Sequence, residues 1–174
     1  LTMSNADLVQ DQLQLYLSQG NYEGALGTIK QALDEEPNNP ALKVEWADIL
    51  VLQGDLEGAN TVLATIPEDT DDYQRPKVRL EIAEEAAGMG SLEEAQAALE
   101  AEPTNLEEQY RLSILLAQAT RYEESLDYAM SILQADREFR DDIGRMTMIR
   151  VMTLLPKDSE AAKRYRRRMF NFMH

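Results

Sequence analysis

Gly20-Asn21-Tyr22-Glu23-Gly24-Ala25 returns thirty-four residues later as Gly54-Asp55-Leu56-Glu57-Gly58-Ala59. Glycine marks a turn between two helices, a large residue follows two places on, and alanine stands three beyond that. A fixed period of this length reads as helix-turn-helix hairpins stacked side by side. Weaker copies stand at Gly90-Ser91-Leu92-Glu93-Glu94-Ala95 and at Thr120-Arg121-Tyr122-Glu123-Glu124-Ser125. The last two offsets are 36 and 30 residues, so an insertion of two is followed by a deletion of four. The insertion falls on Ile66-Pro67-Glu68-Asp69-Thr70-Asp71-Asp72, a proline-opened acidic loop, after which Pro76 suits the first turn of a helix. The deletion shortens the second helix of the third hairpin. That helix has to stop before Pro103, because proline lacks an amide hydrogen and clashes in a helix interior.

The period and its glycine and alanine positions resemble the tetratricopeptide repeat. The expected fold is all-α: degenerate repeats over 6–39, 40–75, 76–105 and 106–140, a linker or tag remnant over 1–5, and C-terminal capping helices over 141–174. Ala25 with Ala32, and Ala47 with Ala59, let the paired helices approach closely. Leu17, Tyr22, Ile29 and Leu33, then Trp46, Leu50, Leu56 and Leu63, recur at helical spacing around them. Each hairpin leaves an apolar face that the next one covers, so such repeats stack and end in a cap. A helical bundle with coincidental turns is the alternative.

Composition narrows the function classes. Hydrophobic residues make up 44% of the 174, enough for a core. No apolar run approaches the roughly 20 residues that span a bilayer, and no signal-peptide pattern is present. Without cysteine, disulfides, thiolate metal sites and thiol catalysis are excluded. The chain opens on Leu1, which fits a fragment or processed product. Residues 1–156 hold 30 acids against 11 Lys and Arg, a net charge of −19, whereas residues 157–174 hold 2 acids and 6 bases. An acidic body disfavours nucleic-acid and anionic-membrane partners, since phosphate contacts need positive surface. Solubility and recognition of a basic partner both account for the acidity.

The basic tail forms its own element. Pro156 breaks the preceding helix, Asp158 or Ser159 caps a new one, and Glu160 suits its positive first turn. Ala162, Tyr165, Met169, Phe172 and Met173 fall on one stripe, with the basic residues beside and opposite it. Tyr165 and Met169 are expected to pack on the helix around Met148 to Leu155, while Phe170, Phe172 and Met173 exceed what a solvated end requires. The first helices of the repeats place Asp7, Gln10, Gln14, Val44, Asp48, Leu80, Glu84, Tyr110 and Ile114 along a possible groove, although solvated helix faces have the same composition. Its shortage of Lys, Arg and Asn disfavours capture of a free carboxylate and suits apolar or basic extended segments. No catalytic or metal constellation is read. The one histidine is the last residue, and the pairs Glu84-Glu85, Glu93-Glu94 and Glu123-Glu124 read as helix-start acids that favour the dipole.

Three stretches carry a narrower resemblance: Gly20-Asn21-Tyr22-Glu23-Gly24-Ala25-Leu26; Val62-Leu63-Ala64-Thr65-Ile66-Pro67 with Asp71-Asp72-Tyr73; and Lys163-Arg164-Tyr165-Arg166-Arg167-Arg168-Met169-Phe170. Together with the shortened third repeat they resemble the C-terminal part of bacterial thioredoxin-fold co-chaperones of the YbbN type, the chaperedoxins. The resemblance implies a cytoplasmic, cofactor-free, non-enzymatic holdase module that binds unfolded client proteins and passes them to the chaperonin GroEL and the DnaK system. It also implies docking on the chaperonin through Tyr165, Arg166, Arg167, Arg168, Met169, Phe170 and Phe172. Arg164 and His174 depart from the closest form of that ending, and no thioredoxin-like stretch lies in the sequence. A generic tetratricopeptide scaffold or a homodimerisation domain remains the alternative.

Overall fold

The computed structural model describes residues 5–174, with side chains from Asp7 onward. The linker expected over 1–5 lies outside the described residues except for Asn5, which begins the first helix. Ten helices and no strand occur among the described residues: α1 Asn5–Ser18, α2 Tyr22–Glu35, α3 Pro40–Leu52, α4 Leu56–Leu63, α5 Gln74–Ala87, α6 Leu92–Ala101, α7 Leu106–Gln118, α8 Tyr122–Ala135, α9 Ile143–Leu154 and α10 Glu160–Met173. They form two compact units, one up to Leu80 and one from Glu81, with the boundary inside α5.

The repeated phrase is the turn chemistry of the hairpins. Gly20 and Gly54 hold φ of 68° and 86°, left-handed backbone that costs glycine nothing and a side-chain-bearing residue about 1–2 kcal/mol. The next residue then caps the second helix. Asn21 Oδ1 accepts from Gly24 N at 2.9 Å and Asp55 Oδ1 from Gly58 N at 2.9 Å, and Ser91 Oγ does the same for Glu94 N at 3.1 Å. In the fourth copy Thr120 takes the left-handed backbone at φ 64° and Arg121 makes no cap bond. An Arg121–Glu124 ion pair at 2.6 Å stands there instead.

In the first unit, Val9 and Leu13 of α1 pack with Ala25, Ile29 and Ala32 of α2 and with Leu42 and Ile49 of α3. Ala47 and Ala59 are fully buried where α3 meets α4, as interlocking helices require. The inserted loop after Leu63 is pinned by buried Ile66 and Tyr73, and Pro76 sits in the first turn of α5. In the second unit α6 ends at Ala101, two residues before Pro103, as the deletion predicts. α7, α8 and α9 then pack in succession around Leu112, Ile114, Leu126, Ile132, Leu133, Met148 and Val151. α9 stops at Leu154 before Pro156, and Ser159 Oγ accepts from Ala162 N at 3.1 Å to cap α10.

Candidate protein-binding surfaces

Within the first unit the expected groove residues separate. Gln10 and Gln14 are exposed, and Gln10 Nε2 donates to Glu45 Oε1 at 3.1 Å. Val44 and Leu80 are core residues, covered by neighbouring helices and unable to line a groove. Asp48 is buried as well, accepting from Arg75 Nη1 and Arg79 Nε at 2.7 Å each, while Arg75 Nη2 reaches Glu45 at 2.6 Å. Burial opposes the Arg75 charge, but Asp48 and Glu45 more than compensate and raise its pKa above the ordinary value. The position expected to face a ligand is therefore an ionic lock between α3 and α5. Two arginines four residues apart in an acid-rich chain were the sequence signal for it.

In the second unit Glu84 is exposed, Ile114 is fully buried in the core, and Tyr110 is buried. The Tyr110 hydroxyl and the Arg150 guanidinium both donate to the Glu85 carboxylate, so one acid of α5 ties together α7 and α9. Burial and this carboxylate raise the Tyr110 pKa. The Arg140 guanidinium lies 4.6 Å over the Tyr110 ring and bonds Glu107 at 3.2 Å. The pair Glu84-Glu85 thus stands at the end of α5 rather than at a helix start, and Glu85 serves as a tertiary acceptor. Beside Arg150 on α9, Met146 and Ile149 are exposed. Sequence reasoning passed over both, because exposure of an apolar helix face depends on which neighbours cover it.

The C-terminal helix splits its residues between two jobs. Tyr165 is buried, its hydroxyl donating to Asp127 Oδ1 at 2.6 Å with the Glu123 carbonyl at 3.2 Å. Arg164 pairs with Glu123, and Arg168 with Asp127 at 3.5 Å, each guanidinium also lying 5.2 Å from the Tyr165 ring. The helix is therefore anchored on α8 as well as on α9, where sequence reasoning expected α9. Met169 is half-buried. Arg166 and Arg167 are exposed and make no ion pair among the described residues, Phe170 is 60% exposed and stacks at 4.5 Å on His174, and Phe172 is 39% exposed.

Burial, then the Asp127 carboxylate, pushes the Tyr165 pKa up to about 12. A phenol that ionises more readily unfolded than folded stabilises fully below pH about 10, and its contribution falls as pH rises from there towards 12. Spectrophotometric tyrosinate titration of the wild type and of Tyr165→Phe should therefore differ by one late-titrating group. A difference curve centred on the ordinary tyrosine value would refute the anchoring.

No cluster of potential metal ligands occurs among the described residues, and no described helix is long and apolar enough to cross a membrane. Residues 85–174 match a family model described as tetratricopeptide repeat, and residues 16–80 match a second model of the same description. Among solved structures, the chain is similar to a domain of protein VP0806, of unknown function, from Vibrio parahaemolyticus RIMD 2210633. That similarity is 27% identity over 97% of this chain and 99% of the other, at a TM-score of 0.45. It is also similar to MamA from Desulfovibrio magneticus RS-1, at 18% identity over 91% of this chain and 100% of the other, with a TM-score of 0.40. No curated protein matches the sequence.

Proposed function

The chain belongs to the tetratricopeptide repeat family, and on that premise we propose that it is the client-binding and docking module of a bacterial cytoplasmic co-chaperone. Tetratricopeptide repeats are protein–protein interaction modules, built as stacked scaffolds rather than catalytic sites. The finer reading rests on the resemblance of the closing helix to the chaperedoxin ending. One observation supports it: α10 uses Arg164, Tyr165 and Arg168 to hold itself on α8, leaving Arg166, Arg167 and Phe170 exposed on its outward side. Arginine and large aromatic side chains are the types that dominate binding energy when a partner desolvates them. In this reading the chaperonin GroEL takes that face, and unfolded clients, shared with the DnaK system, take the repeats.

The test is a pull-down of GroEL by the full chain and by the triple variant Arg166→Ala, Arg167→Ala and Phe170→Ala. These side chains are exposed, so the fold should survive and circular dichroism should be unchanged. Retention of chaperonin should drop by at least about tenfold, the loss of one modest hot spot. Equal retention removes the outward face of α10 from the mechanism, and no retention by the wild type removes the chaperonin.

A further inference from the structure

Large apolar side chains left exposed in the described residues are Leu8 and Leu15 on α1, Met146 and Ile149 on α9, and Phe170 and Phe172 on α10. The helices α1, α9 and α10 thus each carry a pair, and α1 and α10 differ most in charge. Leu8 and Leu15 stand seven apart, on the side of α1 opposite the buried Val9 and Leu13, at 51% and 60% exposure. Exposed Asp11 lies between them, and α1 carries two aspartates and no base. The α10 helix carries five bases and one acid, with Arg166 and Arg167 outward beside Phe170. Two unpartnered helix faces therefore match each other in apolar content and oppose each other in charge.

We infer that the outward face of α10 in one copy seats on the outward face of α1 in a second copy. The occupant is set by charge. Two α10 faces would bring cation against cation and two α1 faces acid against acid, whereas α10 on α1 pairs Arg166 and Arg167 with the aspartate-bearing helix around a shared apolar strip. Such a contact joins unlike surfaces, so a joined pair still has a free α1 on one copy and a free α10 on the other. Association then continues beyond two copies unless rotation closes a ring. The inference stands on the Leu8 and Leu15 face of α1, which the chaperonin test leaves unchanged, and it gives the α10 face two claimants: a second copy competes with a docking partner.

The experiment uses the chain alone, so its outcome is separate from chaperonin binding. Sedimentation velocity up to about 1 mM chain should show a mass that climbs with concentration past the dimer. Leu8→Ser with Leu15→Ser removes the apolar strip of α1 without offering a cation, and Arg166→Glu with Arg167→Glu reverses the charge at the two outward positions of α10. Both pairs are exposed, and circular dichroism should confirm that each variant folds. Either double variant alone should be monomeric. Mixed in equal amounts they should give a one-to-one dimer that grows no further, since the intact α10 of the first fits the intact α1 of the second. A wild type that stays monomeric, a double variant that still associates, or a mixture that does not would each overturn the inference.

Discussion

Asp48→Ala is expected to destabilise the unit up to Leu80 by about 3–5 kcal/mol, the usual cost of stripping one partner from a buried ion pair. The Asp48 carboxylate accepts 2.7 Å bonds from both Arg75 and Arg79, and its side chain is nearly inaccessible to water. Two guanidinium groups then lose a carboxylate partner together. Glu45 still holds Arg75 through the other nitrogen, which sets the lower end of the range. Arginine cannot escape the penalty by releasing its proton, as a buried lysine would, because its pKa lies too high. Asp48→Asn should be nearly as costly, since an amide keeps the shape and supplies no charge. Urea unfolding read by hydrogen exchange is the suitable measurement, because stacked repeats unfold in parts and the loss should appear at α3 and at the start of α5. The quadruple change Glu45→Met, Asp48→Leu, Arg75→Met and Arg79→Leu, which removes every charge of the network, should recover most of the stability, as apolar replacements of buried ion networks do elsewhere. A cost below about 1 kcal/mol for Asp48→Ala would mean that water reaches the network and that it behaves as a surface pair.

The same network marks how far the residues could be read without coordinates. Local features were legible because their causes are local. Gly20 and Gly54 marked turns, Pro103 and Pro156 had to end helices, and the cap before Glu160 had to come from Asp158 or Ser159, of which the structure uses Ser159. Face assignments were less legible. A helical period says that Val44, Leu80 and Ile114 share a side with other apolar residues, but not whether that side meets solvent or another helix. Here each is covered, so a groove inferred from helix order alone loses its apolar floor. Pairings across 27 to 65 residues, Arg75 with Asp48 and Arg150 with Glu85, leave no spacing pattern at all. Their trace is that a strongly acidic chain sets Arg75 and Arg79 four residues apart on α5 and places Arg145 and Arg150 as the charged residues of α9. At α10 the amphipathic stripe was legible, while its anchoring side was decided by Asp127 on α8, a residue no motif singles out.

Gly144→Ala should destabilise the second unit by about 1–3 kcal/mol, the range for forcing a methyl group into a packed contact. Gly144 lies in the first turn of α9, where that helix meets α8. A Cβ placed on it would come within 2.7 Å of Leu133 N, 3.0 Å of Leu133 Cα and 3.2 Å of Ala129 O. Those atoms are backbone of a helix, so no side chain can swing aside and the two helices must separate. Separation loosens contacts around fully buried Leu133 and Met148, and it shifts the support on which α10 rests. Gly27→Ala supplies the control. Gly27 is also helical, yet nothing lies within 4 Å of its added Cβ, so alanine there should stabilise by about 0.5–1 kcal/mol through backbone entropy and helix propensity. One chemical change thus has opposite expected signs at two helical positions, and only the distance to the neighbouring backbone differs. Equal thermal-denaturation shifts for the two variants would refute the close approach of α8 and α9. With the predicted signs, Gly144→Ala should also quicken amide exchange in α10, because the helix stands on α8 and α9 and has few buried contacts of its own.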